Sequence, residues 1–280
     1  MSRYRPGAGL HAIEQAVVGI RLFGSADDAT FNSAVAKAAE LASEYRLPGR
    51  VQLDPMALMF GKQVISFGYA MNAPLQPGVM FQRVAPDGSM AEELTIERNA
   101  VTYRTQSYRR WADVAALING ILCPVGELLA KGASESVSVV ELRCIDRFVS
   151  EVGDTPPLSE LVSLNSPYIS RNIVEKTELL HIHSGWFQDV SADGTARTLT
   201  NLNVDVTQNE FGQRSAAILQ VISRQGAEPA AIIESGADFS ASIANMFEIM
   251  HGGDKILLRG LLTPEIQDQI NLFPREEIEQ

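Results

Sequence analysis

Apolar positions in the first half of the chain change between strand-like and helix-like spacing. A β-branched apolar run predicts a strand over 11–23. Apolar residues three and four apart predict a helix over 28–45 and a second from Arg110 to Leu129, kinked at Pro124 because proline lacks an amide donor. Between these helices the pattern predicts four strands, over 63–70, 79–84, 90–98 and 100–107. The expected order is β-α-β4-α.

The second half follows a similar order. A strand over 139–148 and a short helical segment over 155–164 precede strand-like runs over 173–190, 198–208 and 215–223. Asp238 is expected to cap a helix that ends at Gly252 and Gly253, because glycine commonly follows the last turn of a helix. A terminal helix is expected to start at Thr263, which precedes a proline.

Two pairs of segments match in the same order in the two halves. The run over 81–89 shares Phe, Gln, Val, Asp and Gly with the run over 187–195, and each leads into an Asp-Gly turn. The strand around Val17 matches the strand around Val139 in the same way. Collinear matches of this kind favour an internal repeat over two unrelated hairpins.

We therefore predict an α+β fold with two related lobes, each approximately β-α-β4-α, in which antiparallel sheets pack on helices. The lobes are expected to cover residues 1–133 and 134–280, and to share one hydrophobic interior. This order resembles the TATA-binding-protein-like and helix-grip architectures, a similarity of fold that carries no function.

Composition narrows the range of partners. The chain has 34 acidic and 23 basic residues and a net charge of -11, which disfavours nucleic acid except through a local basic patch. Its two cysteines lack the spacing of zinc or redox motifs. The N-terminus lacks the features of a signal peptide, and no apolar run is expected to approach the roughly 20 residues that span a bilayer. We expect a cytoplasmic protein without a membrane segment.

Histidines 181 and 183 lie two residues apart on a predicted strand. Side chains at this spacing share one face of a sheet, so the two imidazoles form a candidate metal site. Further ligands would have to come from His11, His251 or carboxylates such as Glu178 and Asp189. The alternative is a pair of polar residues on the solvated face of the sheet.

Arg143, Asp146 and Arg147 place three charges in an otherwise apolar strand. The default interpretation is that these charges pair with opposite charges or reach an interface. The alternative is that the two guanidinium groups bind the carboxylate or phosphate of a ligand.

Arg109, Arg110 and Trp111 belong to a basic and aromatic stretch that also includes Arg98 and Arg104. Such a mixture occurs where bases stack and phosphates pair, and it also occurs where arginine stems cover aromatic rings at the start of a helix. We favour the structural interpretation. The sequence contains no nucleophile elbow, HExxH motif or dinucleotide fingerprint. We therefore predict no cofactor and favour a protein that is not an enzyme.

The segments around Ile13–Arg21, Tyr108–Trp111 and Val140–Phe148, with His251 near the C-terminus, resemble a sporadically distributed family of uncharacterised prokaryotic proteins. That family more often has an aromatic residue and Asn where this chain has Cys144 and Asp146. The resemblance implies a non-catalytic subunit of an antiphage defence or toxin-antitoxin system, acting through a protein partner or as a homo-oligomer. The alternatives are a small-ligand-binding protein or metal-dependent hydrolase with a pocket between sheet and helix, and a nucleic-acid sensor.

Overall fold

The structure is a computed structural model that describes residues 2–7, 9, 11–53, 78–133, 136–176, 179–228, 231–233 and 237–273. The strand expected over 63–70, the residues at the proposed lobe boundary, 134–135, and Glu178 lie outside these ranges.

The first half contains six strands and two long helices within the described residues. Helix α1 begins where the side chain of Asp27 accepts a hydrogen bond from the amide of Thr30, at 2.8 Å. The elements in chain order are β1 (Arg5–Pro6), β2 (Ile13–Leu22), α1 (Asp28–Glu44), β3 (Gly49–Leu53), β4 (Gly78–Val84), β5 (Met90–Glu97), β6 (Ala100–Thr105) and α2 (Trp111–Gly132).

The second half has three strands, not four, between its short helices and its long helix in the described part of the chain. The run predicted as one strand over 173–190 starts instead as a short helix. The elements are β7 (Val137–Val149), a 3-10 turn (Leu158–Glu160), α3 (Arg171–Val174), β8 (Leu180–Gln188), β9 (Ala196–Gln208), β10 (Arg214–Gly226), α4 (Phe239–Leu261) and α5 (Pro264–Gln269).

All described strands join one antiparallel sheet, which confirms the α+β class. The strand order is β3-β4-β5-β6-β2-β7-β10-β9-β8, with β1 added to the end of β7. In each half the first long strand pairs with the last, β2 with β6 and β7 with β10. Strands β2 and β7 join the halves at the centre.

One row of directly paired residues crosses the sheet from β4 to β8 on its helix-covered face. Paired residues of neighbouring strands point to the same side, so the row defines that face. It consists of Phe81, Leu94, Tyr103, Val18, Leu142, Ile222, Thr200 and Trp186. The row ends at Trp186 and not at its neighbour Phe187, so Phe81 and Phe187 lie on opposite faces. The sequence match between the two phenylalanines is therefore not an equivalence of position.

Helix α2 packs on both α1 and α4 above the first half of the sheet. It contains a π-helical turn, Ile118–Leu122, immediately before Pro124. It is also long and apolar enough to cross a membrane by length and composition alone, so our expectation that no apolar run reaches that length was wrong. A helix packed between two others needs apolar residues around much of its circumference; Leu122 and Val125, for example, are completely buried in the core.

Helix α4 is longer than the sequence indicated. It continues through Gly252 and Gly253 to Leu261, a length of 23 residues. Neither glycine has the positive φ of a helix-terminating residue. Leu257, Leu258 and Leu261 are buried, and their packing against the second half of the sheet extends the helix past the glycines.

Candidate functional site

A cavity of about 580 Å³ opens beside the centre of the sheet, and two carboxyl groups are among the groups that line it. Asp146 comes from β7, and Asp254 comes from α4, which packs on that strand. The side chains are only 1% and 2% exposed. We call this cavity the acid cleft; its walls include His11, Tyr108, Trp111, His251 and Lys255.

Burial raises the pKa of both acids. Burial raises the pKa of Asp146 to about 7, and a hydrogen bond from Nε2 of Gln220 at 3.0 Å opposes this shift only in part. The pKa of Asp254 is raised well above its usual range by burial and by repulsion from Asp146. Both shifts favour the protonated form of these carboxyl groups, and a protonated carboxyl can donate as well as accept a hydrogen bond.

Three buried polar atoms lack partners within the described part of the chain: two belong to residues that line the cleft, and one belongs to Gln220, which is hydrogen-bonded to Asp146. Oδ1 of Asp254, Oε1 of Gln220 and Nδ1 of His11 are buried and have no hydrogen bond there. Leaving a buried polar atom unpaired costs about 1 to 3 kcal/mol, so such atoms call for an explanation. Atoms of a bound molecule would complete their hydrogen bonding.

Aromatic side chains form one wall of the acid cleft. The rings of Trp111 and His251 stack with centroids 4.2 Å apart and an interplanar angle of 12°. Nε1 of Trp111 donates to Glu248 at 2.8 Å, which fixes the indole on helix α4. The rings of His11 and Tyr108 meet edge to face, with centroids 5.4 Å apart. Burial raises the pKa of the Tyr108 phenol. The wall is thus flat, fixed and suited to contact with a planar ring.

Four residues singled out from the sequence line this one cleft. They are Arg109, Arg110, Trp111 and Asp146. The first three begin α2 or precede it, and Asp146 lies 35 positions later on β7. The cleft also contains His251, which belongs to the family resemblance.

Arg143 and Arg147 do not join Asp146. Alternate residues of a strand face opposite sides, so the arginines lie on the face of β7 away from α4. Arg147 donates to both carboxylate oxygens of Glu14 at 2.8 Å and to the hydroxyl of Ser215, and Arg143 pairs with Glu141 at 3.1 Å. Each arginine is therefore paired with a glutamate, as the default interpretation expected, and neither pairs with Asp146. Because side chains alternate between the two faces of a strand, the sequence positions alone place Asp146 on the face opposite to the two arginines.

His181 and His183 lie on the same exposed face as Arg147. His181 contacts Asp205 at 2.5 Å, and His183 is hydrogen-bonded to Asn203. Across the described ranges, no three His, Cys, Asp or Glu side chains converge on a point where a metal ion could be held. The described residues therefore provide no metal centre at the histidine pair or in the acid cleft.

The basic and aromatic stretch is divided among separate places. Arg98 donates to the Ala26 carbonyl and pairs with Asp28, and Arg104 pairs with Glu93 at 2.7 Å. Arg110 pairs with Asp113 at 2.9 Å. Most of the positive charge in this stretch is thus balanced within the chain, which weakens the case for a nucleic-acid surface.

Sequence reasoning missed Asp254 because it ended the helix too early. Once α4 is continuous, Asp254 falls four residues after buried Met250 and three before buried Leu257, on the apolar stripe of the helix. A charged residue on such a stripe is a signal of a buried polar site.

Comparison with known proteins gives little further guidance. No family model and no curated protein matches the chain. Among solved structures, the chain is similar to the one titled "Crystal structure of the di-domain ARO/CYC StfQ from the steffimycin biosynthetic pathway". The identity is 11% and the TM-score 0.22, over 88% of this chain and 96% of that chain. A similarity at this level carries no argument about function.

Proposed function

We propose that this protein binds a small molecule in the acid cleft, the first of the alternatives raised by the sequence. The observation that carries the proposal is the buried acid pair, contributed by a strand and a helix, which lines a cavity and includes an Asp254 oxygen without a partner among the described residues. Two acids buried side by side are costly to stability. Their retention beside an open cavity is typical of a binding site.

The cleft favours an uncharged, planar ligand with a hydrogen-bond donor next to an acceptor. A protonated Asp254 carboxyl offers an O–H and a C=O side by side, which match the N–H and C=O edge of a lactam ring. The Trp111 and His251 wall suits a flat ring. The basic side chains Arg109 and Lys255 at the cleft make a cationic ligand less favourable.

The proposal can be tested with 2-quinolinone and its N-methyl derivative, which has the same ring but no donor. Saturation-transfer NMR should detect binding of 2-quinolinone, with the N-methyl compound about tenfold weaker because one hydrogen bond is lost. Binding should weaken as the pH rises, because ionisation of Asp254 removes the hydrogen-bond donor.

Two variants provide the control. Asp254→Leu removes the acid from the cleft and should abolish binding, whereas Asp268→Leu removes an exposed carboxylate of α5 and should leave binding unchanged. Equal binding of the two quinolinones, or equal effects of the two variants, would contradict the proposal.

A second candidate function is the partner-binding subunit implied by the family resemblance. Large apolar side chains exposed in the second half support it, because exposed apolar surface is typical of interaction sites. They include Val152, Leu179, Phe187, Val190, Phe211, Ile249 and Ile256.

The defence role, the protein partner, a homo-oligomer and the cytoplasmic location stay predictions. Co-purification from cells that carry the native operon, followed by mass spectrometry, tests them, and recovery of the chain alone as a monomer would count against them.

We also propose that the two halves are related lobes of helix-grip type, divided near 133–134. The shared pairing of first with last strand supports this, as do the two Asp-Gly turns. In each turn an aspartate Oδ1 accepts from the amide and hydroxyl two residues later, Asp87 from Ser89 at 2.9 and 2.7 Å, and Asp193 from Thr195 at 3.0 and 2.8 Å. An alignment of homologues in which both halves match one profile tests the proposal.

A further inference from the structure

A second cavity, of about 650 Å³, lies between helix α4 and strands β8 to β10. We call it the Trp186 cavity. It lies on the helix-covered face of the sheet, since Trp186, Thr200 and Ile222 belong to the row of paired residues that defines that face. The acid cleft is lined by Asp254, Lys255 and Leu258 of the same helix, and none of these lines the Trp186 cavity. The two cavities are thus separate sites with different side chains.

Most of the wall of the Trp186 cavity is apolar or aromatic. The rings of Trp186 and Tyr168 stack with centroids 5.3 Å apart and an interplanar angle of 9°. Across the cavity, helix α4 contributes Met246 and Met250, whose flexible side chains adapt to the shape of a bound apolar group. This wall favours an acyl or aromatic body over a sugar or a peptide backbone.

Two charged residues, Arg224 and Asp189, line one side of the cavity. Nη1 of Arg224 donates to the main-chain carbonyl of Asp189 and lies 3.4 Å from the hydroxyl of Thr198. Both partners are uncharged groups, and within the described residues no carboxylate forms an ion pair with Arg224. A guanidinium in a largely apolar cavity is stabilised by an anion more than by neutral acceptors.

We propose that the Trp186 cavity binds an amphipathic anion, a molecule with an apolar body and one carboxylate, sulfonate or phosphate group. The body packs against Trp186 and the two methionines of α4, and the anionic group pairs with Arg224. This site is independent of the ligand proposed for the acid cleft.

A matched pair of fluorescent probes tests the proposal. 8-Anilinonaphthalene-1-sulfonate carries an anionic group, and N-phenyl-1-naphthylamine has the same aromatic body without it. Titration of the folded protein should show saturable binding of the sulfonate, about tenfold tighter than binding of the uncharged probe.

Charge variants on two neighbouring strands separate a specific contact from a general charge effect. Arg224→Gln should weaken sulfonate binding about tenfold and change binding of the uncharged probe less than about twofold. Arg197→Gln is the control, because it removes the same charge from exposed Arg197, whose side chain lies over Phe187 on the opposite face. It should change neither affinity. Asp189→Asn should leave sulfonate binding equal or tighter, since it removes a negative charge beside the cavity.

A variant that fills the Trp186 cavity tests whether the probes bind there. Thr200→Phe places a ring in the cavity next to Trp186 and should abolish binding of both probes. Asp254→Leu should leave both affinities unchanged, so loss of the acid cleft and loss of this site are distinguishable. Equal affinity for the two probes, equal effects of Arg224→Gln and Arg197→Gln, or sulfonate binding lost in Asp254→Leu would each overturn the proposal.

Discussion

The two halves of the sheet have the same pairing of first and last strand but are covered differently. Over the first half, α1 and α2 pack together on the sheet, and their apolar side chains fill the space between them. Over the second half, α4 lies on the sheet with the four-residue α3 in place of a long partner helix. The Trp186 cavity lies in this half. The comparison indicates that the number of long helices, more than the sheet itself, decides whether the interior is filled or left open to a ligand.

The largest expected effect comes from shortening a side chain in the filled half. Leu122 of α2 is completely buried, so Leu122→Ala should lower the free energy of unfolding by about 3 kcal/mol. Met246→Ala enlarges a space that already exists in the open half and should cost about 1 kcal/mol or less. Urea unfolding of both variants measures the difference. Similar losses would show that the two halves are equally well packed.

The acid pair at the junction of the halves should make stability depend on pH. The folded pKa of Asp146, about 7, lies above the reference value of 3.8, so the folded protein binds more protons than the unfolded chain between these values. This contribution is present below about pH 4 and is lost as the pH rises toward 7. The unfolding free energy should therefore fall relative to that of Asp146→Asn, by at most about 1.4 kcal/mol per pH unit for this proton. Urea unfolding between pH 4 and 8 measures it, and parallel curves for the two proteins would refute it.

Replacing the glycine should destabilise the two Asp-Gly turns to a similar extent, although Phe81 and Phe187 in the strands before them lie on opposite faces of the sheet. Gly88 and Gly194 have φ values of 85° and 75°, which side chains rarely adopt. Replacing either with alanine should destabilise the protein by about 1 kcal/mol, as measured by thermal or urea unfolding. A large effect at one turn only would argue against the related-lobe proposal.

The smallest expected effect has the opposite sign. Gly252 lies inside α4 without a positive φ, and a Cβ there would meet no atom within 4 Å. Gly252→Ala should stabilise the protein by about 0.5 to 1 kcal/mol, because alanine loses less backbone entropy in a helix. Thermal unfolding of this variant checks the length of α4. Destabilisation would indicate that the helix ends at the glycines.

Local patterns in the sequence were sufficient for most elements. The apolar periodicity predicted α1, α2 and the strands β4 to β7, β9 and β10, because each of these segments shows its buried face in its own sequence. The same patterns failed where a neighbour altered the outcome. Gly252 and Gly253 resemble a helix end, yet the packing of the leucines that follow keeps α4 helical.

Only part of the candidate site could be predicted from the sequence. Trp111 and Asp146 were singled out by their unusual chemistry, but their shared cavity depends on where α2 begins relative to β7. The opposite faces of Asp146 and Arg147 could have been inferred from strand alternation. The location of Asp254 could not, because it depends on a helix that local signals end too soon.

By itself, the sequence determined the α+β class, the two Asp-Gly turns and the presence of charges in unusual apolar surroundings. Those features depend on spacing and conformational preference within a few residues. Only the tertiary structure decided which charges face one another, that Asp146 and Asp254 line one cleft, and that the second half keeps a cavity beneath α4. The acid pair joins residues 108 positions apart, and the cavity joins Trp186 to Met250, 64 positions later. Local periodicity does not specify which distant elements will pack together.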